Sequence, residues 1–131
     1  MTIKKTFGFT MFELLLVFLI IAILAGVGVP RYRNTVEKVK QRDARAILLL
    51  IKNAEEIYSI KKKAYYPTSG TVTITDINQN LNLDILEPAD IDYACTSDSD
   101  FTCTATGSGW YFTVTGNTDP VCTATTGTCF F

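Results

Sequence analysis

The stretch Gly8–Pro30, GFTMFELLLVFLIIAILAGVGVP, constrains this chain more than any other part of it. From Phe9 to Val29 there are about 21 residues, and at roughly 1.5 Å of rise each they make a helix about as long as a bilayer's hydrocarbon core is thick. Glu13 is the one charge inside the stretch. The segment can span a membrane.

Three readings of the span compete. A secretory signal peptide has a basic start, an apolar centre and a small-residue cleavage site, and Met1–Lys5, Leu14–Ala25 and the small residues near Gly26 imitate one. Glu13 opposes that reading, because a carboxylate at the front of an apolar core costs a few kcal/mol in lipid and is rarely found there without a partner. A plain single-span anchor is the second reading. The third is a specialised processing signal.

The third reading rests on the junction. Lys4–Lys5–Thr6–Phe7–Gly8, followed by Phe9–Thr10–Met11–Phe12–Glu13 and an uninterrupted apolar run, resembles the class III signal of type IV pilin-like proteins. That family includes type IV pilins, type II secretion pseudopilins and DNA-uptake pilins. The resemblance implies cleavage after Gly8 by a membrane-embedded prepilin peptidase, with Phe9 as the new, N-methylated terminus. It also implies that Glu13 pairs with the N-terminal amine of a neighbouring subunit during assembly. Physical chemistry agrees, since an ammonium and a carboxylate that meet in an apolar filament core neutralise each other where either alone is costly. The motif covers about the first quarter of the chain; the rest matches by architecture.

With residues 1–8 read as leader and 9–30 as the span, residues 31–131 remain for one small soluble head. The chain has no His, which removes the most usual general base and metal ligand. Nothing resembles a nucleophile–base pair or a Gly-rich phosphate loop. The expectation is therefore a non-enzymatic protein with no catalytic residues, no cofactor and no metal.

Pro30 ends the apolar run, yet helical periodicity continues to about Lys62. Val36, Val39, Asp43, Ile47, Leu50, Ala54 and Ile57 fall at spacings of three and four, with Ile51 and Tyr58 widening the row. These residues are read as the face that covers the core. An interior proline removes a backbone hydrogen bond, so a kink or a locally loosened helix is expected around Gly26, Gly28 and Pro30. The resemblance adds an assembly role for Pro30, because helices of that family can melt nearby on assembly; the alternative is a proline that only marks the membrane exit. Lys61, Lys62 and Lys63 suit the negative end of the helix dipole and mark its end.

Residues 63–90 read as a connecting region with a short helical turn from Asp76 to about Leu81. After Pro88 the period changes to two. Ile91, Tyr93 and Cys95, then Phe101, Cys103 and Ala105, then Trp110, Phe112 and Val114 alternate with polar residues. Three strands with a polar turn at Thr96–Asp100 and a Gly107–Ser108–Gly109 turn make an antiparallel meander. The expected fold class is α+β: a long N-terminal helix, membrane-spanning in its first half, packed against a small antiparallel sheet, as in the pilin fold.

Four cysteines, all downstream of the span, indicate two disulfides formed in an oxidising space. Of three connectivities, Cys95–Cys103 and Cys122–Cys129 are favoured. The first pair lies on one face of adjacent strands across a turn centred near Ser99, and the second closes a short Thr- and Gly-rich loop. By resemblance, that C-terminal loop is the disulfide-bounded region many pilins expose on the filament surface. A zinc site is disfavoured by the absence of His and of CxxC spacing. Asp98 and Asp100 alone are too few oxygens for calcium.

Every Lys and Arg lies at or before Lys63, while the second half carries only carboxylates. The two regions are either separate solvated surfaces or mutually attractive parts of neighbouring subunits in a helical polymer. Nucleic acid is an unfavoured partner, since nothing after Lys63 is basic. Arg31, Arg33, Lys38 and Lys40 flank the span more heavily than Lys4 and Lys5 do, which by the positive-inside rule alone puts the head in the cytoplasm. The cysteines and the leader favour the opposite orientation.

The sequence is thus expected to encode a structural subunit of a type IV pilus, held in the inner membrane as a precursor and assembled with identical or related subunits into an extracellular filament. The alternatives are a minor pilin or a type II secretion pseudopilin. From a different class comes a monomeric, membrane-anchored extracytoplasmic binding domain.

Overall fold

The computed structural model describes residues 9–97 and 100–131, and at Pro30 the backbone alone. The expected leader with Gly8, and Asp98 and Ser99 of the expected turn, lie outside the described residues. The chain divides into two compact units, Met1–Glu37 and Lys38–Phe131. The element order is α1 (Met11–Lys62), β1 (Thr71–Thr73), α2 (Ile74–Leu81), β2 (Asp92–Ser97), β3 (Phe101–Gly107), β4 (Trp110–Thr115) and β5 (Thr118–Ala124). This is the α+β class expected, a long N-terminal helix packed on an antiparallel sheet.

In the first unit, α1 is apolar on all sides, and every described side chain from 9 to 35 is exposed. Among the described residues it is the one helix long and apolar enough to cross a membrane. Such a helix has no soluble core to bury and is compatible with membrane anchoring. Its backbone is helical without a break through Gly26, Gly28 and Pro30, so the loosening expected there is not present.

The second unit is built around the rest of α1. Its buried row is Gln41, Ala44, Leu48, Ile51 and Glu55, spaced three, four, three and four. The row expected from apolarity is therefore rotated by about one residue, or roughly 100°. Val39, Leu50 and Ile57 are exposed, and Asp43 with them, while Ile47 packs at the margin of the core. Apolar periodicity does not mark Gln41 and Glu55, whose partners are Thr128 and Phe130 for the first and, just past the end of α1, Tyr66 for the second. Lys63, left-handed at φ 57°, ends the helix and donates its N–H to the Ser59 carbonyl at 2.8 Å.

All five strands are antiparallel, in the order β1-β2-β3-β4-β5. The predicted alternation holds throughout: Tyr93 and Cys95, Phe101, Cys103 and Ala105, and Trp110, Phe112 and Val114 are all buried. Register places Tyr93, Ala105, Phe112 and Cys122 in one row and Val72, Cys95, Cys103 and Val114 in the next. The buried members of these rows pack with Ala44, Leu48 and Ile51 of α1, Phe101, Trp110, and Ile74, Ile77, Ile85 and Ile91 to form the core, with Val72 and Cys122 at its margin. Each large side chain removed from water there contributes about 1.5–3 kcal/mol.

Two strands, β1 and β5, and the first two residues of α2 lie in stretches whose sequence reads as connection or loop. β1 has three residues and one inward side chain, too short for alternation to register. β5 buries only Pro120, at a register shift opposite Thr113–Thr115, which suits an edge strand that needs no outward N–H. The helix α2 begins at Ile74, two residues before the expected turn. Asp76 Oδ2 caps it by accepting the Thr73 N–H at 3.4 Å.

Two glycines set the β3–β4 turn. Gly107 lies directly under the Trp110 ring, where a β-carbon would collide with the indole. Gly109 sits at φ 83°, and its carbonyl accepts N–H bonds from Thr125, Thr126 and Gly127 at 3.0, 3.2 and 2.8 Å. The turn is thereby tied to the chain that follows β5.

Candidate functional site

The residues singled out by the processing signal fall at the start of α1. Phe9 precedes the helix and is 72% exposed. Thr10 is the cap: its carbonyl accepts the N–H groups of Glu13 and Leu14 at 3.1 and 3.2 Å, and its Oγ1 accepts Glu13 N–H at 3.3 Å. Glu13 is the third residue of the helix and is exposed. Thr10–x–x–Glu13 is the spacing of a capping box, and a carboxylate in the first turn is favoured by the positive end of the helix dipole. Glu13 thus stands where the helix dipole favours a carboxylate, with its own N–H held by Thr10. Pro30 lies farther along the same helix, and Gly8 lies outside the described residues.

Both disulfides have the favoured connectivity. Cys95 and Cys103 face each other in register on β2 and β3 with their Cα atoms 4.1 Å apart. Cys122 leaves β5 and meets Cys129 with a Cα separation of 6.0 Å. The first bridge is wholly inside the core, and the second holds an exposed loop. Beyond it the chain is strapped to α1. Gln41 Nε2 donates to the Thr128 carbonyl at 2.6 Å, and its Oε1 accepts the Phe130 N–H at 2.9 Å. Lys38 lies over the Phe130 ring at 5.0 Å and Arg42 over Phe131 at 5.4 Å.

The other buried polar residue of the α1 row, Glu55, accepts the Tyr66 N–H at 2.9 Å through Oε2. Its Oε1 has no partner among the described residues. Burial pushes its carboxyl from the ordinary 4.5 up to about 7, against the lowering effect of the Tyr66 bond. Tyr93 carries a second buried oxygen, its hydroxyl, that has no partner among the described residues. Burial first, then the charges of Asp43 and Glu87, push it up to about 12, so it stays neutral.

The separated charges meet within the second unit. Lys40 pairs with Asp90 at 2.9 Å and Lys52 with Asp119 at 3.2 Å, each joining α1 to the acidic half. Among the described residues, no group of three or more His, Cys, Asp or Glu side chains is placed to hold a metal ion. Searches against protein-family models, curated proteins and solved structures returned no match to this chain.

Proposed function

We propose that this chain is a type IV pilin-like filament subunit: a precursor cut after Gly8, held in the inner membrane by its apolar helix, and polymerised through that helix into a surface fibre. The observation that carries the reading is register. A basic leader ending in Gly8, an aromatic residue at Phe9 and a carboxylate at Glu13 stand in fixed order before a helix that is exposed and apolar on every side. In a filament of such helices, Glu13 meets the amine of a neighbour's Phe9, and each charge removes the other's cost. The exposed loop closed by Cys122 and Cys129 is then available on the fibre's outer surface. Pilus subunit is favoured over pseudopilin, because the acidic second half has no counterpart to a calcium loop.

One observation favours a plain membrane anchor instead. Thr10 caps the Glu13 N–H, and a carboxylate in the first turn is favoured by the helix dipole without any partner subunit.

Two measurements separate the readings. Intact mass and N-terminal sequencing of the protein from its native cell surface are expected to give a chain starting at methylated Phe9; a chain retaining Met1 supports the anchor, and one starting near Val27 an ordinary secreted domain. Glu13→Ala is expected to leave leader cleavage intact and abolish filaments seen by electron microscopy. Normal filaments from that variant would remove the pairing argument.

A further inference from the structure

A groove of about 200 Å³ lies between the last turns of α1 and the end of α2, wholly within the second unit. Ala54, Ile57 and Leu81 supply its apolar lining, and Tyr58, Lys61, Lys62, Asn80 and Asn82 its polar one. We infer that this groove binds an acidic sugar, a pyranose ring carrying a carboxylate, and that Lys61 and Lys62 recognise its charge.

The chemistry of the lining leads to that class. Lys61 and Lys62 are exposed, and no carboxylate lies within ion-pair distance of either among the described residues. They offer six N–H donors and no acceptor, and their two positive charges exceed the roughly half negative charge of the helix end. An anion placed there gains charge-assisted hydrogen bonds.

Asn80 is already committed: its Nδ2 donates both to the Tyr66 hydroxyl and to the Asp76 carbonyl, each at 2.9 Å. What remains for a ligand is Oδ1, an acceptor, which suits a hydroxyl group. Asn82, fixed in the left-handed conformation at φ 53° by the end of α2, brings a second amide with donors and an acceptor. Tyr58 is half-buried and held edge-on against Tyr66, with ring centroids 5.9 Å apart at 67°, so its ring is an ordered wall. Aromatic rings of this kind pack well against the C–H face of a pyranose.

Size and polarity narrow the ligand further. At about 200 Å³ the groove is smaller than the roughly 300–1,000 Å³ typical for drug-sized ligands. One ring fits, and a longer glycan would continue into solvent. A lipid chain has no closed apolar tunnel here. An acidic peptide would also satisfy the lysines and has backbone N–H groups for Asn80 Oδ1, but an oligoglutamate offers no ring face of C–H groups to the Tyr58 wall, and the test uses that difference. The inference does not depend on filament assembly, since every residue involved belongs to one head.

The test is a titration of the isotope-labelled full chain in lipid nanodiscs, followed by amide chemical shifts. The probes are methyl glucuronoside, its neutral twin methyl glucoside, and a short oligoglutamate. Methyl glucuronoside is expected to shift Tyr58, Leu81 and Asn82 saturably, with the glucoside at least roughly tenfold weaker. Lys61→Gln/Lys62→Gln is expected to lose roughly tenfold in glucuronoside affinity, and Tyr58→Leu a comparable amount. Lys38→Gln/Arg45→Gln, an equal charge change elsewhere on α1, is expected to lose nothing beyond general screening. Unchanged shift patterns outside the groove report that each variant is folded. Equal binding of the glucoside, equal binding of oligoglutamate, shifts centred elsewhere, or no saturable shift would each overturn the inference. None of these results bears on N-terminal processing, which is read by mass.

Discussion

The two portions of α1 are one helix by hydrogen bonding and two different objects by burial. Residues 9–35 expose every described side chain, although most are Leu, Ile, Val or Phe. Farther along, the helix buries a single row, and both ends of that row, Gln41 and Glu55, are polar. The first portion buries none of its described side chains against its own chain and is compatible with membrane anchoring. The second carries its own core and uses polar side chains at the edges of that core to hold other segments down. Apolarity alone thus does not identify the side of a helix that faces its own domain.

The sharpest way to break this contrast is to shorten one leucine in each portion. Leu48→Ala is expected to lower the unfolding free energy of the head by about 3 kcal/mol, because Leu48 is fully buried in the core. Leu16→Ala, on the same helix, is expected to change it by less than about 0.5 kcal/mol. Urea denaturation in nanodiscs, followed by Trp110 fluorescence, compares the two. Equal losses would make the helix a single stability unit.

Glu55 sharpens the contrast through pH. Its folded-state carboxyl titrates near 7 against an ordinary 4.5, so between those values the folded head holds a proton that the unfolded chain has released. Stability from this group is therefore greatest below about pH 4.5, falls as pH rises to about 7, and is level above that. Glu55→Gln keeps an acceptor for the Tyr66 N–H and removes the charge. It is expected to stabilise the head by at most roughly 3 kcal/mol at pH 8 and to have little effect at pH 4. A wild-type midpoint that does not fall between pH 5 and 7 would exclude the effect.

A smaller change is expected from opening the peripheral bridge. The Cys122→Ser/Cys129→Ser variant is expected to lose about 2 kcal/mol, the loop-closure value for so short a ring. The strap on Gln41 should loosen with it, seen as faster hydrogen exchange at the Phe130 amide. Smallest of all are the ion pairs. Lys52→Gln is expected to cost less than about 1 kcal/mol, and the difference from wild type should shrink in high salt, because Asp119 is largely exposed.

Much of the head was legible in the sequence because its signals are local. Period-two alternation from Ile91 to Val114 identified three strands and their inward faces, and Cys95 and Cys103 fell into register across their turn. The end of α1 at Lys62 was marked by its lysines. What was not legible depended on distance or on short length. Gln41 is buried because residues 128 and 130 come to it, and Glu55 because Tyr66 does; neither partner is visible from periodicity. β1 is too short to alternate, and β5 carries Pro120 where a strand signal would stand. The start of α2 could have been found, since Thr73 and Asp76 have capping-box spacing. At the N-terminus, the same spacing in Thr10 and Glu13 offered a structural role for the carboxylate beside the one drawn from resemblance.

The two margins of the sheet have a consequence for crowding. One margin, β1, spans only Thr71–Thr73, and the other, β5, is interrupted by Pro120 and a register shift. A foreign strand laid against either finds too few consecutive donors and acceptors to zip onto. Heads of this protein brought to high density are therefore poorly suited to fusing their sheets edge to edge into cross-β aggregates.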